Sequence, residues 1–366
     1  MRFRTERLPP YILVIVALVA IAVITVALTV RVRYYTTNYT AKYEAARLTQ
    51  RLMERVKAER QARGTVIDAV NDPNQTGLIG LPQSPITTEY GDLSAKLTAL
   101  NPNFAAVVVD LLTRTGAQPG DAVAVSLSGS FPSLNLAVLA ALQIMRLEPV
   151  IITSVGASMW GANDPSFTYL DMEKTLYEQG EIKFRTDHAS IGGTDDIGRA
   201  LSPEGRDLIT GAIRRCGVPL IETSDLEASV QKRVELYEAR KTTAGYRCFL
   251  NVGGGAAALG GSDIPSGVVE PNQFILNRGV VGVFLRRGIT VINLTDISRL
   301  ARHYDLPLSP TPLPAAGKGK IFYEGRYSTA LAAAGAAFML IIILLILRID
   351  VDHYLRALVK TRRDQA

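Results

Sequence analysis

Two stretches of this chain run without a charged residue for long enough to cross a lipid bilayer, and they lie near opposite ends. Tyr11 to Val30 is twenty residues with no charge, Gly or Pro, and at 1.5 Å rise per residue such a helix spans about the 30 Å hydrocarbon layer. Thr329 to Leu347 begins Ala-rich, closes on an unbroken Leu/Ile run from Leu340 to Leu347, and stops at Arg348. A helix of this length that is apolar all round suits lipid better than a globular core. Arg2, Arg4 and Arg7 precede the first stretch as in a signal peptide. The apolar run nevertheless exceeds the ~7–15 residues of a cleavable core and ends without a small-x-small site, so an uncleaved anchor is expected.

Basic residues near the spans set the expected orientation. Three lie before the first, and Arg348, Arg356, Lys360, Arg362 and Arg363 follow the second, which makes residues 1–10 and 348–366 cytoplasmic segments. Arg31, Arg33, Lys318, Lys320 and Arg326 lower the contrast, but long domains translocate largely regardless of charge. The expectation is a two-pass protein of the cytoplasmic (inner) membrane with its main domain extracytoplasmic. Leaving aside eight basic and four acidic residues at the termini, 32 basic residues face 30 acidic ones. The central part is near neutral, so the lipid bilayer, and not nucleic acid, is the partner read from charge.

Between the spans (11–30 and 329–347), residues 31–64 read as a stalk helix, with Leu48, Leu52 and Val56 at helical spacing among charges. Asn71 to Pro85 reads as a linker or a loop over the domain, and 307–328, rich in Pro at its start, as a linker back to the membrane. Residues 65–306 alternate short apolar runs with amphipathic stretches, the pattern of an α/β domain. Helices are expected at 103–114, 133–147, 203–215, 224–239 and 278–286, and strands at 121–127, 149–154, 218–222, 246–252 and 289–293. A mostly parallel, doubly wound sheet follows.

Ligands of such sheets bind outside the carboxyl ends of the strands. The loop after the first strand carries Ser126, Ser128, Gly129 and Ser130, whose hydroxyls and helix-start amides suit a carboxylate or phosphate; Ser capping and turn Gly explain the same residues structurally. The loop after the second strand contains Ser158, Trp160 and Asn163, where Trp is either a packing plug or a platform. Asn251, Gly253, Gly254 and Gly255 form the third, a G-x-G-x-x-A match between strand and helix that suits close backbone packing or a carboxylate nest better than a dinucleotide. No cofactor is expected. Catalytic candidates are few: Ser128 or Ser158 with His188, weighed against a surface histidine. Asp187, His188, Asp195 and Asp196 are considered as cation ligands and read in preference as a solvated turn, so no metal is expected. Asp92 and Lys96, four apart, read as an ion pair on a helix turn. Cys216 and Cys248 could pair or stay as buried thiols.

Several segments resemble the poly-gamma-glutamate system protein family. They are Pro85-Ile86-Thr87-Thr88 with Gly91-Asp92-Leu93 and Lys96; Asn101 to Ala106; Ser128 to Pro132 with Leu134-Asn135; Ser154 to Pro165 with Asp171-Met172-Glu173; and Asn251 to Gly255 with Leu259-Gly260. The resemblance implies an accessory membrane protein in making, exporting or anchoring poly-γ-glutamate, with the polymer or its oligomers and the membrane-bound synthase subunits as partners. It implies no reaction and brings no catalytic residues. The alternatives are an extracytoplasmic hydrolase or transferase acting on the polymer, or a ligand domain similar to the phosphosugar-binding sugar isomerase type, which the Ser126-x-Ser128-Gly129 loop resembles until Ser130-Phe131.

Overall fold

The computed structural model describes residues 10–240, 245–271, 273 and 276–348. The basic tails expected to be cytoplasmic, including Arg2, Arg4, Arg7, Arg356, Lys360, Arg362 and Arg363, lie outside the described residues.

In chain order, helix α1 (Pro10–Thr29) leads into strand β1 (Arg31–Tyr35). The long α2 (Tyr39–Ala62), the short α3 (Leu93–Ala99) and α4 (Phe104–Arg114) precede β2 (Ala122–Ser128). Next come α5 (Pro132–Ile144), β3 (Glu148–Ser154), α6 (Tyr169–Glu178) and β4 (His188–Ser190). A 3-10 turn at Thr194–Asp196 is followed by α7 (Pro203–Arg215) and α8 (Leu226–Ala239). The remainder comprises β5 (Tyr246–Val252), the one-turn α9 (Ala256–Leu259), β6 (Gly267–Val269), α10 (Val280–Arg286), β7 (Thr290–Leu294), α11 (Ile297–His303), β8 (Tyr323–Tyr327) and α12 (Thr329–Arg348).

The chain divides into two compact units, one made from its ends up to Tyr35 and from Tyr323 onward, the other Thr36–Phe322. In the first unit, α1 and α12 are both long and apolar enough to cross a membrane, and almost none of their apolar surface is buried within the protein. They approach closely, since a Cβ at Gly335 would lie 2.6 Å from the Val23 side chain. β1 and β8 pair antiparallel beside them, Arg31 opposite Tyr327 and Tyr35 opposite Tyr323. The expected stalk helix therefore starts late. Arg31 to Tyr35 is extended, Asn38 takes a left-handed conformation (φ 58°), and only then does α2 begin. The alternating Arg-Val-Arg-Tyr-Tyr has the two-residue period of a strand, and its partner is supplied from across the sequence.

The second unit is α/β, with a six-stranded sheet in the order β4-β3-β2-β5-β7-β6, parallel throughout except for the antiparallel edge β6. β2 (Ala-Val-Ala-Val-Ser-Leu-Ser) is buried at every residue, as a central parallel strand should be. The expected strand 218–222 contributes one bridge only, Ala189 to Leu220: the Pro219 carbonyl accepts from the Ala189 amide and the Ile221 amide donates to the Ala189 carbonyl, and Pro219, with no N–H, cannot carry the ladder further toward its start. α2 is no free stalk: Ala45, Ala46, Leu48, Leu52, Met53 and Val56 are buried within this unit. The Pro-rich segment expected to be a linker is pinned as a strap, with Asn74 donating to the Pro310 carbonyl and Asn103 donating to that of Ala315, and Ile321 and Phe322 buried.

Candidate functional site

The chain leaves β2 for β3 and β4 on one side, then returns to place β5 on the other side of β2. Strand order thus reverses at the β2/β5 boundary, and the loops at the carboxyl ends of these strands part there to leave a crevice. A cavity of about 150 Å³ occupies it, lined by Ser128 and Ser130 after β2, Ser154 and Gly156 after β3, and Gly254, Gly255 and Ala256 after β5. Thr88 and Glu89 from the segment before α3, and Gly193 and Thr194 after β4, complete its walls. Larger depressions of about 400 and 300 Å³ lie elsewhere. The first is lined by Arg63, Lys174 and Arg215, with Arg215 bound to Asp171 at 2.6 Å, so its charges are mutually engaged.

Backbone packing makes the crevice possible. A Cβ at Gly129 would stand 2.3 Å from the Val155 carbonyl, so only glycine lets the β2 and β3 loops touch. Gly253 turns the β5 loop with φ +79°. Beyond it, the amides of Gly254, Gly255 and Ala256 make no hydrogen bond within the described residues, and all three residues face the cavity. The hydroxyls differ in what they can still do. The Ser154 hydroxyl donates to Asp196 Oδ1 at 2.9 Å and accepts from Arg233 at 2.8 Å, so its proton is committed. Ser128 Oγ accepts from the Ser130 amide and Ser130 Oγ from the Ser158 amide, which leaves both protons available to a ligand.

Behind the floor lies a saturated polar network. Asp196, 2% exposed, accepts from Ser154, Ser190 and Ser229 and pairs with Arg233, 1% exposed, at 2.9 Å. The sequence reading of Asp195 and Asp196 as a solvated turn or cation ligands gives way here: Asp196 is spent on Arg233, while Asp195 turns to Arg199 at 2.6 Å. Among the described residues no group of three or more His, Cys, Asp and Glu is placed to hold a metal.

Lys96 is the residue that sequence reasoning missed. Asp92 caps α3 by accepting from the Ser94 amide, which frees Lys96 to turn inward. Its ammonium, 4% exposed, donates to the Ser130 carbonyl at 2.5 Å and to Ser158 Oγ at 2.7 Å and lies 3.8 Å from the Phe131 ring centroid. Burial pushes its pKa down to about 7 against the pull of Glu89 and Asp92. Reading Asp92 as a helix cap would have exposed this role.

The remaining candidates have structural duties. Ser158 is buried behind the wall and Ser126 is buried within β2. Trp160 does not line the cavity; its amide donates to the Leu81 carbonyl and its φ is +66°. The Asn163 amide clamps the Leu81 backbone and the Thr87 hydroxyl. Asn251 donates to Gly253 and Asn293 across the strand ends, its own Oδ1 buried without a partner. His188 belongs to the short strand β4 and does not line the cavity; burial, then Lys232, lowers its pKa. Cys216 and Cys248 are free and buried, and burial pushes each thiol up to about 12.

Comparison with family models, curated proteins and solved structures gives no match.

Proposed function

We propose that the chain is a two-pass protein of the cytoplasmic membrane, with both termini inside and an extracytoplasmic, doubly wound α/β domain that handles poly-γ-glutamate by holding its carboxylates at the switch-point cavity. The observation that carries this reading is the gathering of unengaged donors in one place: the amides of Gly254, Gly255 and Ala256 and the hydroxyls of Ser128 and Ser130. Such donors hold a carboxylate without requiring a basic surface. The segments that carry the family resemblance, around Thr88, Ser128 to Pro132, Ser154 to Pro165 and Asn251 to Gly255, also supply the walls of this cavity. The doubly wound arrangement is supported by two helix groups, α2 with α4 and α5, and α8 with α9 and α10, each packed within itself.

Titration of the full chain in detergent with γ-linked glutamate oligomers tests the reading. Binding at low salt is expected, and Ser128→Ala should weaken it by about 0.5–1.5 kcal/mol, the net worth of one hydrogen bond. Absence of binding would sink the proposal. A reporter active only in the cytoplasm tests the topology: it should be silent when inserted after Gly116 and active after Ala366.

One observation favours a hydrolase or transferase instead. Lys96 stands 2.7 Å from Ser158 Oγ, with a pKa that suits a base acting on a serine. Ser158 is sealed from the cavity, so the binding reading is preferred. Polymer shortening in vitro that is abolished by both Lys96→Met and Ser158→Ala would reverse that preference.

A further inference from the structure

Among the described residues, the one charged residue lining the cavity is an acid. Glu89 lines the same cavity as the free amides, and its carboxylate makes neither a hydrogen bond nor an ion pair among the described residues; burial raises its pKa, with the Lys96 ammonium pulling the other way. Among the described residues no lysine or arginine lines the cavity, and the nearby Lys96 ammonium is turned away to the Ser130 carbonyl and Ser158. A ligand bearing carboxylates alone would therefore meet a like charge whose only counter-charge, Lys96, is hydrogen-bonded elsewhere, which is unfavourable in a partly desolvated site.

We infer that the cavity recognises an α-amino acid group, with a free ammonium at Glu89 and a carboxylate at the amides of Gly254 and Gly255 and the hydroxyls of Ser128 and Ser130. This inference rests on the polymer-handling reading and sharpens it. In a chain joined through γ-amides, every interior residue has its α-nitrogen acylated and offers only an α-carboxylate. The residue at the amino end alone presents ammonium and carboxylate on the same carbon. A volume of about 150 Å³ takes one small residue and not a run of them. The domain is thus an end-binder: it holds the amino terminus of the polymer, or a single free amino acid, and does not track along the chain. An acid and unengaged N–H and O–H donors lining one cavity are the complementary halves that such a zwitterion requires.

The test uses the full chain in detergent micelles and three probes: γ-glutamylglutamate with a free amino end, the same compound N-acetylated, and glutarate, a dicarboxylate without nitrogen. The free-amine dipeptide should bind roughly 10- to 100-fold more tightly than its acetylated form, the range of one charge-assisted interaction. Glu89→Gln should remove that preference by weakening the free-amine ligand alone. Ser128→Ala should weaken both dipeptides alike, because it touches only the carboxylate half. Equal affinity for the free and acetylated dipeptides would overturn end recognition and leave carboxylate binding standing. Equal losses for both ligands in Glu89→Gln would also overturn it, since Glu89 would then act through the wall and not on the ammonium. If none of the three probes binds, the polymer-handling reading falls, and this inference with it. Glu89 is an exposed residue, so the substitution removes no core contact.

Discussion

The two flanks of β2 are held together by different physics. On the β5 side the core is aromatic. Phe249 and Phe284 stack with centroids 4.7 Å apart, Tyr237 meets both edge-on at 5.8 and 5.7 Å, and Tyr246 closes the cluster. Its one buried polar tip, the Tyr237 hydroxyl, donates to the Val125 carbonyl at 2.8 Å. On the β3–β4 side the interior is crowded with polar and ionised groups: Asp196 with Arg233 and three serines, and Glu173 with Thr186 and Tyr169. Aromatic packing stabilises chiefly through buried area, with a smaller gain from stacked and edge-on ring geometry. A buried ion pair contributes little net stability, because desolvation offsets its attraction, but it fixes directions. The polar flank reaches the cavity wall through Ser154, so orientation is what it supplies there.

The contrast can be broken most forcefully by single truncations. Phe249→Ala and Arg233→Leu should each lower unfolding free energy by about 3–5 kcal/mol, the first through lost burial and a cavity, the second by leaving Asp196 buried without its partner. Denaturant unfolding of the full chain in detergent measures both; a loss below about 1 kcal/mol for Arg233→Leu would mean that water reaches Asp196 and that the flanks differ less than described.

Next in size is a pH effect confined to the polar flank. Burial raises the Glu173 carboxyl to about 7, against the opposing bonds from Thr186. Since the folded pKa lies above the unfolded one, its contribution is full below about pH 4.5 and is lost as pH rises through 7, a change of about 3 kcal/mol. Lys96 has its folded pKa lowered to about 7, so its contribution is present above the unfolded value and lost as pH falls through 7. Together they place a dip in stability near neutrality. Glu173→Gln should flatten the acid side of that dip, and an unchanged profile would show that Glu173 does not titrate there.

The smallest effect sharpens the comparison. Replacing both ion-pair partners with apolar residues, Arg233→Met with Asp196→Leu, should bring stability back to within about 1–2 kcal/mol of the native chain. On the proposed function, the same double variant should also bind γ-linked glutamate less well, because Ser154 loses both groups that aim it. Restored stability with undiminished binding would show that the network does not position the cavity wall.

The same contrast governs how much could be read from sequence. The strands at 246–252 and 149–154 and the helix at 203–215 fall within a residue of the observed elements, because Val/Ile/Leu runs and Ser or Pro punctuation are local signals. The three loops could be placed at strand ends for the same reason. What stayed hidden was pairing at a distance: the β1–β8 ladder joins residues almost 300 positions apart, and β4 is too short to announce itself. Lys96 read as half of an ion pair with Asp92 and Asp196 as part of a solvated turn, and Arg233 carried no signal, since nothing in local sequence tells a buried ion from a solvated one. Trp160 and Asn163 stood out by their place in the loop after the second strand, yet the structure gives the Asn163 side chain and the Trp160 backbone to the neighbouring Leu81 segment.

The bond between the Thr36 amide and the Phe322 carbonyl, 3.0 Å long, has one more consequence. It brings the first and last residues of the α/β unit side by side, so the unit is nearly a closed ring. Its ends could be joined directly and the ring reopened at an exposed turn such as Gly180 without removing a core contact. The order in which the strands are synthesised is therefore separable from the shape they make, and a permuted, water-soluble version of the domain is within reach of simple gene rearrangement.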